Sequence, residues 1–352
     1  MAIKKHQPAP PLKLFLALLG LATGLYFITD PIRHQWIYQR GNAELAAGNY
    51  AEAETIWRQA AQQNPKTNTH YIRLGNALSS QQKWSDAIAQ YRNAIKLNPG
   101  DPTAPHFLAE TLAAQGRIDE AIGYYRQAIS LAPNYAAAYL GLANTLKTQQ
   151  NWDAAIRTYR QAIKLSPQTP EAYLGLGEAL KRQNQSDATL STYRQAIKQN
   201  LSNPIIHKEL ADLLLQKGQT QDAIEQYRRS IELEPNYAAA KNGLGTALQT
   251  TQPDEVMTIY RQAIAQSPTH APLRVSIGKA FKQKNQLEDV IASYKKAIEL
   301  DPITPSAYRG LGEAFIQQKK RKDAIEAYRT VVKLNPSDRQ NRDQLTKLQR
   351  KQ

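Results

Sequence analysis

Residues 159–167 read YRQAIKLSP, and versions of this nine-residue phrase recur down the chain. WRQAAQQNP begins at Trp57, YRNAIKLNP at Tyr91, YRQAISLAP at Tyr125 and YRQAIKQNL at Tyr193. YRRSIELEP follows at Tyr227, YRQAIAQSP at Tyr260, YKKAIELDP at Tyr294 and YRTVVKLNP at Tyr328. The nine copies are spaced by 34, 34, 34, 34, 34, 33, 34 and 34 residues. A fixed period of this length marks a stack of identical supersecondary units.

One period shows what the unit is. Tyr139, Leu142, Ala143 and Leu146 fall at i, i+3, i+4 and i+7, one face of a helix. A polar turn follows at Gln149–Asn151. Ala155, Tyr159 and Ala162, with Ile156 and Ile163 beside them, form a second apolar stripe at helical spacing. Pro167 stops that second helix, because proline cannot continue the hydrogen-bond ladder. Each period is therefore two antiparallel helices, here called A and B. One pair cannot bury both stripes, so neighbouring pairs must stack.

Helix A carries a small residue in every copy: Gly41, Gly75, Ala109, Ala143, Gly177, Ala211, Gly245, Gly278 and Gly312. Helix B closes on Pro65, Pro99, Pro133, Pro167, Pro235, Pro268, Pro302 and Pro336, with Leu201 as the exception. These features resemble the tetratricopeptide repeat family. The resemblance covers residues 34–338 as nine repeats: 34–67, 68–101, 102–135, 136–169, 170–203, 204–237, 238–270, 271–304 and 305–338. It implies an all-α, right-handed superhelical solenoid that binds peptide segments of protein partners in a concave groove lined by helices A.

The chain has 352 residues and no cysteine, which excludes disulfides, thiol nucleophiles and Cys-ligated zinc. Its net charge is +15, from 45 basic and 30 acidic residues. Nine of the basic residues, Arg58, Arg92, Arg126, Arg160, Arg194, Arg228, Arg261, Lys295 and Arg329, directly follow the helix B aromatic. That regularity reads as a solvated face encoded by the repeat rather than a phosphate-tracking stripe. Eight of the 18 tyrosines occupy the apolar helix B position, which argues against nucleic acid, since base stacking needs exposed rings.

Ahead of the repeats, residues 1–11 form a basic tail and Leu12–Thr29 an uncharged run interrupted only by Lys13. Eighteen residues span roughly 27 Å as a helix, just enough to cross a bilayer if Lys13 snorkels. Asp30 and Pro31 are expected to end it. A cleaved signal peptide would use 14–21 with Ala22 and Gly24 at the small-residue positions. Apolar residues continue through Leu25–Ile28, which favours an uncleaved single-pass anchor in a bacterial inner or thylakoid-like membrane. Lys4, Lys5 and Lys13 against Arg33 and Arg40 weakly favour export of the repeats.

Four regions depart from the regular pattern. Repeat 1 has Arg40 and Glu44 where apolar residues are expected, and reads as one cap of the stack. Residues 339–352 read as a polar capping helix, started by Ser337 or Asp338, with Leu345 and Leu348 as anchors. Repeat 5 lacks the closing proline and has Thr189 for the usual Ala; repeat 7 is one residue short, with Pro253 in its turn. The six histidines, His6, His34, His70, His106, His207 and His270, have no metal-ligand spacing. No catalytic constellation or cofactor motif stands out, so the reading is a non-enzyme without cofactor.

The resemblance also implies where a ligand sits, at the second, fifth, ninth, twelfth and thirteenth positions of each repeat. In repeats 1–3 the main polar residues at the last four are Asn42, Asn76, His106 and Glu110. Repeats 4–8 offer Asn144, Lys147, Glu178, Lys181, Arg182, Lys208, Asp212, Asn242, Lys279 and Lys282, six basic against two acidic. Asn144, Lys147, Lys181, Arg182, Lys208, Asn242, Lys279 and Lys282 are thus the candidate peptide-binding residues. Such a surface suits an acidic segment or a C-terminal carboxylate. The whole reads as a membrane-anchored scaffold for protein partners in assembly of a membrane or envelope complex. A basic, nucleic-acid-associated array and the substrate-recognition subunit of an enzyme are the alternatives.

Overall fold

The computed structural model describes residues 29–249 and 252–350. They form 19 α-helices, and no strand occurs among the described residues. In chain order these are α1 (Thr29–Ala47), α2 (Tyr50–Gln63), α3 (Asn68–Ser80), α4 (Trp84–Leu97), α5 (Thr103–Ala114), α6 (Ile118–Leu131) and α7 (Ala136–Thr148). Next come α8 (Trp152–Leu165), α9 (Pro170–Arg182), α10 (Ser186–Lys198), α11 (Pro204–Gln216), α12 (Thr220–Leu233) and α13 (Ala238–Leu248). The last are α14 (Pro253–Gln266), α15 (Ala271–Gln283), α16 (Leu287–Leu300), α17 (Pro305–Gln317), α18 (Arg321–Leu334) and α19 (Arg339–Arg350).

The chain divides into two compact units, one ending at Gln161 and the other starting at Ala162, within α8. Both are α-solenoid stacks. In the first, each helix from α1 to α7 packs on the next; in the second, the same holds from α9 to α19. Successive helices A also touch, α3 on α5 and α5 on α7 in the first unit, α11 on α13, α13 on α15 and α15 on α17 in the second. Among the described residues, successive helices B do not pack in this way. Helices A therefore lie on the more crowded, inner side of each stack.

The helix B aromatic is what joins one repeat to the next. Trp57, Tyr91, Tyr125, Tyr159, Tyr193, Tyr227, Tyr260, Tyr294 and Tyr328 are all buried. Where helix A carries glycine, the ring takes the space that a side chain there would need. A Cβ placed on Gly75 would stand 2.5 Å from the Tyr91 ring, and one on Gly177 would stand 2.4 Å from Tyr193 Cζ. The ring also meets the following repeat: a Cβ on Gly141 would be 2.4 Å from Tyr125, and one on Gly310 would be 2.3 Å from Tyr294. At these glycines a side chain is excluded because real Cβ contacts do not close to these distances, whereas in other repeats the following-repeat position carries a larger residue, such as Phe107 stacked on Tyr91. Sequence reading identified the first site, in the same repeat, and missed the second.

The turns between helices A and B have a conformational rule of their own. Gly48, Gln82, Gly116, Gln150, Asn184, Gly218, Asn285 and Lys319 all have φ between +57° and +80°. In each case a left-handed residue follows helix A, and the next N–H bonds back into its last turn, as with Lys83 N to Leu78 O at 2.9 Å. Repeat 7, one residue short, shows no such residue among the described ones. Its turn includes 250–251, which lie outside the described residues.

Repeat 5 solves its missing proline differently. Helix α10 ends at Lys198, Asn200 takes φ +57°, and Leu201 N donates to Ala196 O at 3.3 Å. Leu201 is buried, as the apolar residue after such a cap should be. Asn203 then caps α11 by accepting from the backbone N–H groups of Ile205 (2.9 Å) and Ile206 (3.2 Å). Leu201 is therefore a wired-in alternative to proline rather than a lost stop. Restoring the family's proline, Leu201→Pro, removes the bond to Ala196 and the buried side chain, and is expected to destabilise by about 2 kcal/mol. Urea denaturation checks this, with Asn200→Gly as a neutral or slightly stabilising control because glycine prefers the left-handed region.

The N-terminal expectation needs two adjustments. Thr29, expected to close a membrane span, and Asp30 and Pro31, expected to end a helix, are themselves helical, within α1. The rest of the proposed span, 12–28, lies outside the described residues; among the described ones no helix is long and apolar enough to cross a membrane. At the other end, Asp338 starts α19 by accepting from Asn341 N at 3.2 Å. Arg321 Nε donates to Leu348 O at 2.8 Å, holding the far end of that helix against α18.

Candidate functional site: the helix A face

The residues singled out by spacing do lie on helices A, but their charges are not free in the way a count of lysines suggests. In the first unit, Asn144 is exposed and its Oδ1 accepts from the Tyr159 hydroxyl at 2.6 Å. Tyr91 donates to Asn76 Oδ1 at 2.8 Å in the same manner. In the second unit Tyr227 donates to Asp212 Oδ1 at 2.5 Å. In these three repeats the ninth position is thus tied to the hydroxyl of its own helix B tyrosine. That bond anchors the otherwise unsatisfied polar end of a buried ring. Lys147 is half-buried in α7.

In the second unit Lys181 on α9 pairs with Glu209 on α11, and its ammonium stands 5.7 Å from the centre of the Tyr193 ring. Lys208 pairs with Glu209 at 3.1 Å and with Asp212 at 2.8 Å. Burial pushes Glu209 up, but Lys181 and Lys208 more than offset it and leave its carboxyl below the usual range. Burial likewise opposes the charge on Lys208, and Asp212 and Glu209 outweigh it, so this lysine stays cationic. The result is a continuous network from Lys181 through Glu209, Lys208 and Asp212 to Tyr227, linking repeats 5 and 6. Sequence reading had counted Asp212 but missed Glu209, which occupies the sixth position of its repeat. Several other repeats have glycine there: Gly141, Gly175, Gly243 and Gly310.

Arg182 is exposed at the end of α9. Asn242 is half-buried on α13, and its Oδ1 has no hydrogen-bond donor. Lys279 is exposed on α15 and forms no ion pair among the described residues. Lys282, one turn later, pairs with Glu313 on α17. Glu313 is the second acid missed, because the charge count stopped at repeat 8.

The outer side is different. All nine basic residues that follow the helix B aromatic are exposed. Arg58 pairs with Glu54 at 2.7 Å and Arg228 with Glu255 at 3.1 Å. The nine aromatics beside them are buried and so are not available for stacking. Among the described residues no group of three or more His, Asp or Glu could hold a metal ion.

One titratable residue on the inner side faces a specific pH window. His106 on α5 is 4% exposed, lies 4.9 Å from the Tyr135 ring, and has Glu110 3.5 Å from its Nε2. Burial lowers its pKa to about 4, so the folded chain keeps it neutral while the unfolded chain protonates it near 6.5. Between these values the unfolded state binds more protons, and stability falls as pH drops. Burial lowers His207 and His270 in the same direction. At full shift His106 accounts for at most about 3 kcal/mol, with Glu110 reducing it. Urea midpoints are expected to fall from pH 7 to pH 5 in the native chain and to fall less in His106→Asn.

Comparison with known proteins follows this geometry. Profiles described as tetratricopeptide repeat or TPR repeat match residues 38–102, 72–136, 144–184, 171–200, 211–252, 278–319 and 305–338. No curated protein sequence matches the chain. Among solved structures, that of the APC/C hetero-tetramer Cut9-Hcn1 is similar at a TM-score of 0.56 and 14% identity. The match covers 84% of this chain and 59% of that one, so this chain spans little more than half of that relative's length. The pilF protein of Pseudomonas aeruginosa is similar at a TM-score of 0.51 and 18% identity, over 58% of this chain and 94% of that one. Identities this low speak for the fold alone. Together, the repeated helix pairs, the buried helix B aromatics and the matching profiles show that this chain belongs to the tetratricopeptide repeat family.

Proposed function

We propose that the chain is a membrane-anchored scaffold whose helix A face receives extended segments of partner proteins during assembly of a membrane or envelope complex. The observation that carries this reading is the division of labour within each repeat. Helix B spends its aromatic on packing, while helix A keeps polar side chains such as Asn144, Arg182, Lys279 and Lys282 at the surface. The apolar run at 12–28 supports the anchor, and anchoring raises the effective concentration of weak face contacts with other membrane components.

Two measurements test it. Alkaline extraction of native membranes leaves an anchored chain in the pellet; release into the supernatant overturns the anchor. For the face, partners are captured from nuclease-treated membranes by the full chain and by a variant with Lys147, Arg182, Lys279 and Lys282 changed to serine. Neutral serines are used, and Lys181 and Lys208 are spared, because disturbing that pair strands Glu209 and Asp212 as uncompensated charges. Proteins lost only from the variant support the face as the binding site, and an identical catch overturns it.

A further inference from the structure

Once Glu209, Asp212 and Glu313 are placed, the positive charge of the second unit's inner face is redistributed. Around repeats 5 and 6, Lys181 and Lys208 are matched by Glu209 and Asp212. The excess moves to the C-terminal end. Lys279, Lys282 and Arg309 lie there on successive helices A, against the single carboxylate of Glu313. Arg309 is half-buried and forms no ion pair among the described residues. It stands close enough to the hydroxyls of Tyr294 and Tyr328 to oppose their burial-driven rise in pKa.

Lys282, Arg309 and Glu313 share a cavity of about 340 Å³ whose far wall is α19. Gln340 and Gln344 from that helix and Gln317 from α17 line it, and none of their side-chain amides makes a hydrogen bond among the described residues. Ile316, unusually exposed for an isoleucine, adds an apolar strip. The cavity has the size of a small ligand site and suits one or two peptide residues. It combines a guanidinium fork that can bind a carboxylate through two parallel bonds, an ammonium, and free amides able to pair with a peptide backbone.

We propose that this pocket, between repeats 8 and 9 and the capping helix, is the carboxylate-binding subsite of the helix A face. It takes an acidic residue or a free C-terminus, with Arg309 as the main contact and Lys279 and Lys282 raising the local potential. The proposal rests on the scaffold reading and relocates its charged contact away from Lys181 and Lys208. The capping helix thereby forms one wall of a binding site as well as ending the stack.

The test is fluorescence anisotropy of the detergent-solubilised full chain with a labelled hexapeptide, Gly-Ser-Gly-Asp-Glu-Asp. Two further probes are the same peptide amidated at its C-terminus and its Asn-Gln-Asn counterpart with a free carboxyl. A charge-assisted bidentate contact is worth about tenfold or more in affinity. Arg309→Gln is therefore expected to weaken the acidic peptide about tenfold, Gln344→Ala less, and Lys181→Gln little. Loss on amidation alone assigns the C-terminus as the ligand group, and loss in the Asn-Gln-Asn probe alone assigns the acidic side chains; both support the pocket. Rescue of part of the affinity by Arg309→Lys separates charge from folding, and circular dichroism of each variant confirms a folded chain. Binding that ignores Arg309→Gln but is lost in Lys181→Gln overturns this subsite while leaving the helix A face as the binding surface. Binding of all three probes with equal affinity overturns carboxylate recognition, and no binding of any probe overturns the subsite, whatever membrane capture shows.

Discussion

Replacing Tyr294 with alanine is expected to unfold the C-terminal repeats under conditions where the rest of the chain stays folded. The ring is buried beside Gly278 of its own repeat and Gly310 of the next. It belongs to a core with Val275, Val290, Ala297, Ala307, Leu311 and Ala314, most of it contributed by α15, α16 and α17. Truncating a buried aromatic typically costs about 3–5 kcal/mol. On the helix A sides the space left behind faces Gly278 and Gly310, which have no side chain able to move in and fill it. In a stack, stability is a sum of repeat terms and nearest-neighbour interfaces, and removing one shared ring weakens two repeats together. Hydrogen exchange should show residues 271–350 losing protection, with α3–α6 unchanged. A uniform loss of protection across both units would contradict the nearest-neighbour picture.

The converse substitution should be nearly as damaging. Gly141→Val puts a branched Cβ where 2.4 Å separates it from Tyr125 Cε1, and that ring is buried and cannot swing away. Overpacking of this kind costs about 1–3 kcal/mol, and valine falls at the upper end because its stiff χ1 offers few escapes. Gly123 on α6 provides the control. A Cβ there meets nothing within 4 Å, and the position is exposed. Gly123→Ala should therefore stabilise by up to about 1 kcal/mol through helix propensity alone. Thermal melts of the two variants should move in opposite directions, although both replace a glycine in a helix of the same unit.

The inner face also bears on how such arrays choose partners. A sum of lysines along helices A describes a broad basic strip, whereas pairing confines the unmatched charge to one end. Lys208 shows why the two differ. It lies in a partly desolvated position where two carboxylates face it, so it contributes to the junction of repeats 5 and 6 rather than to a ligand. That junction also lacks the closing proline, and the charged network links α9, α11 and α12 across it.

Much of this protein is legible in one dimension. The 34-residue period, the two helical stripes, the small residue on helix A and the closing prolines are all local patterns, and they suffice for the helix pairs and their stacking. They suffice because each repeat touches only its neighbours, so the period in sequence is the period in space. What they could not supply were the interactions set between repeats. The glycines at 141, 243 and 310 look like helix-weakening residues until the preceding repeat's tyrosine is seen against them. Glu209 and Glu313 sit outside the charge count, yet reach back 28 and 31 residues to Lys181 and Lys282. Leu201 reads as a missing proline, and only the left-handed Asn200 and the burial of Leu201 reveal a second way to end the helix. Composition along the chain identifies which charges exist. Which of them remain free depends on distances across the stack, and those are decided only when neighbouring helices are packed.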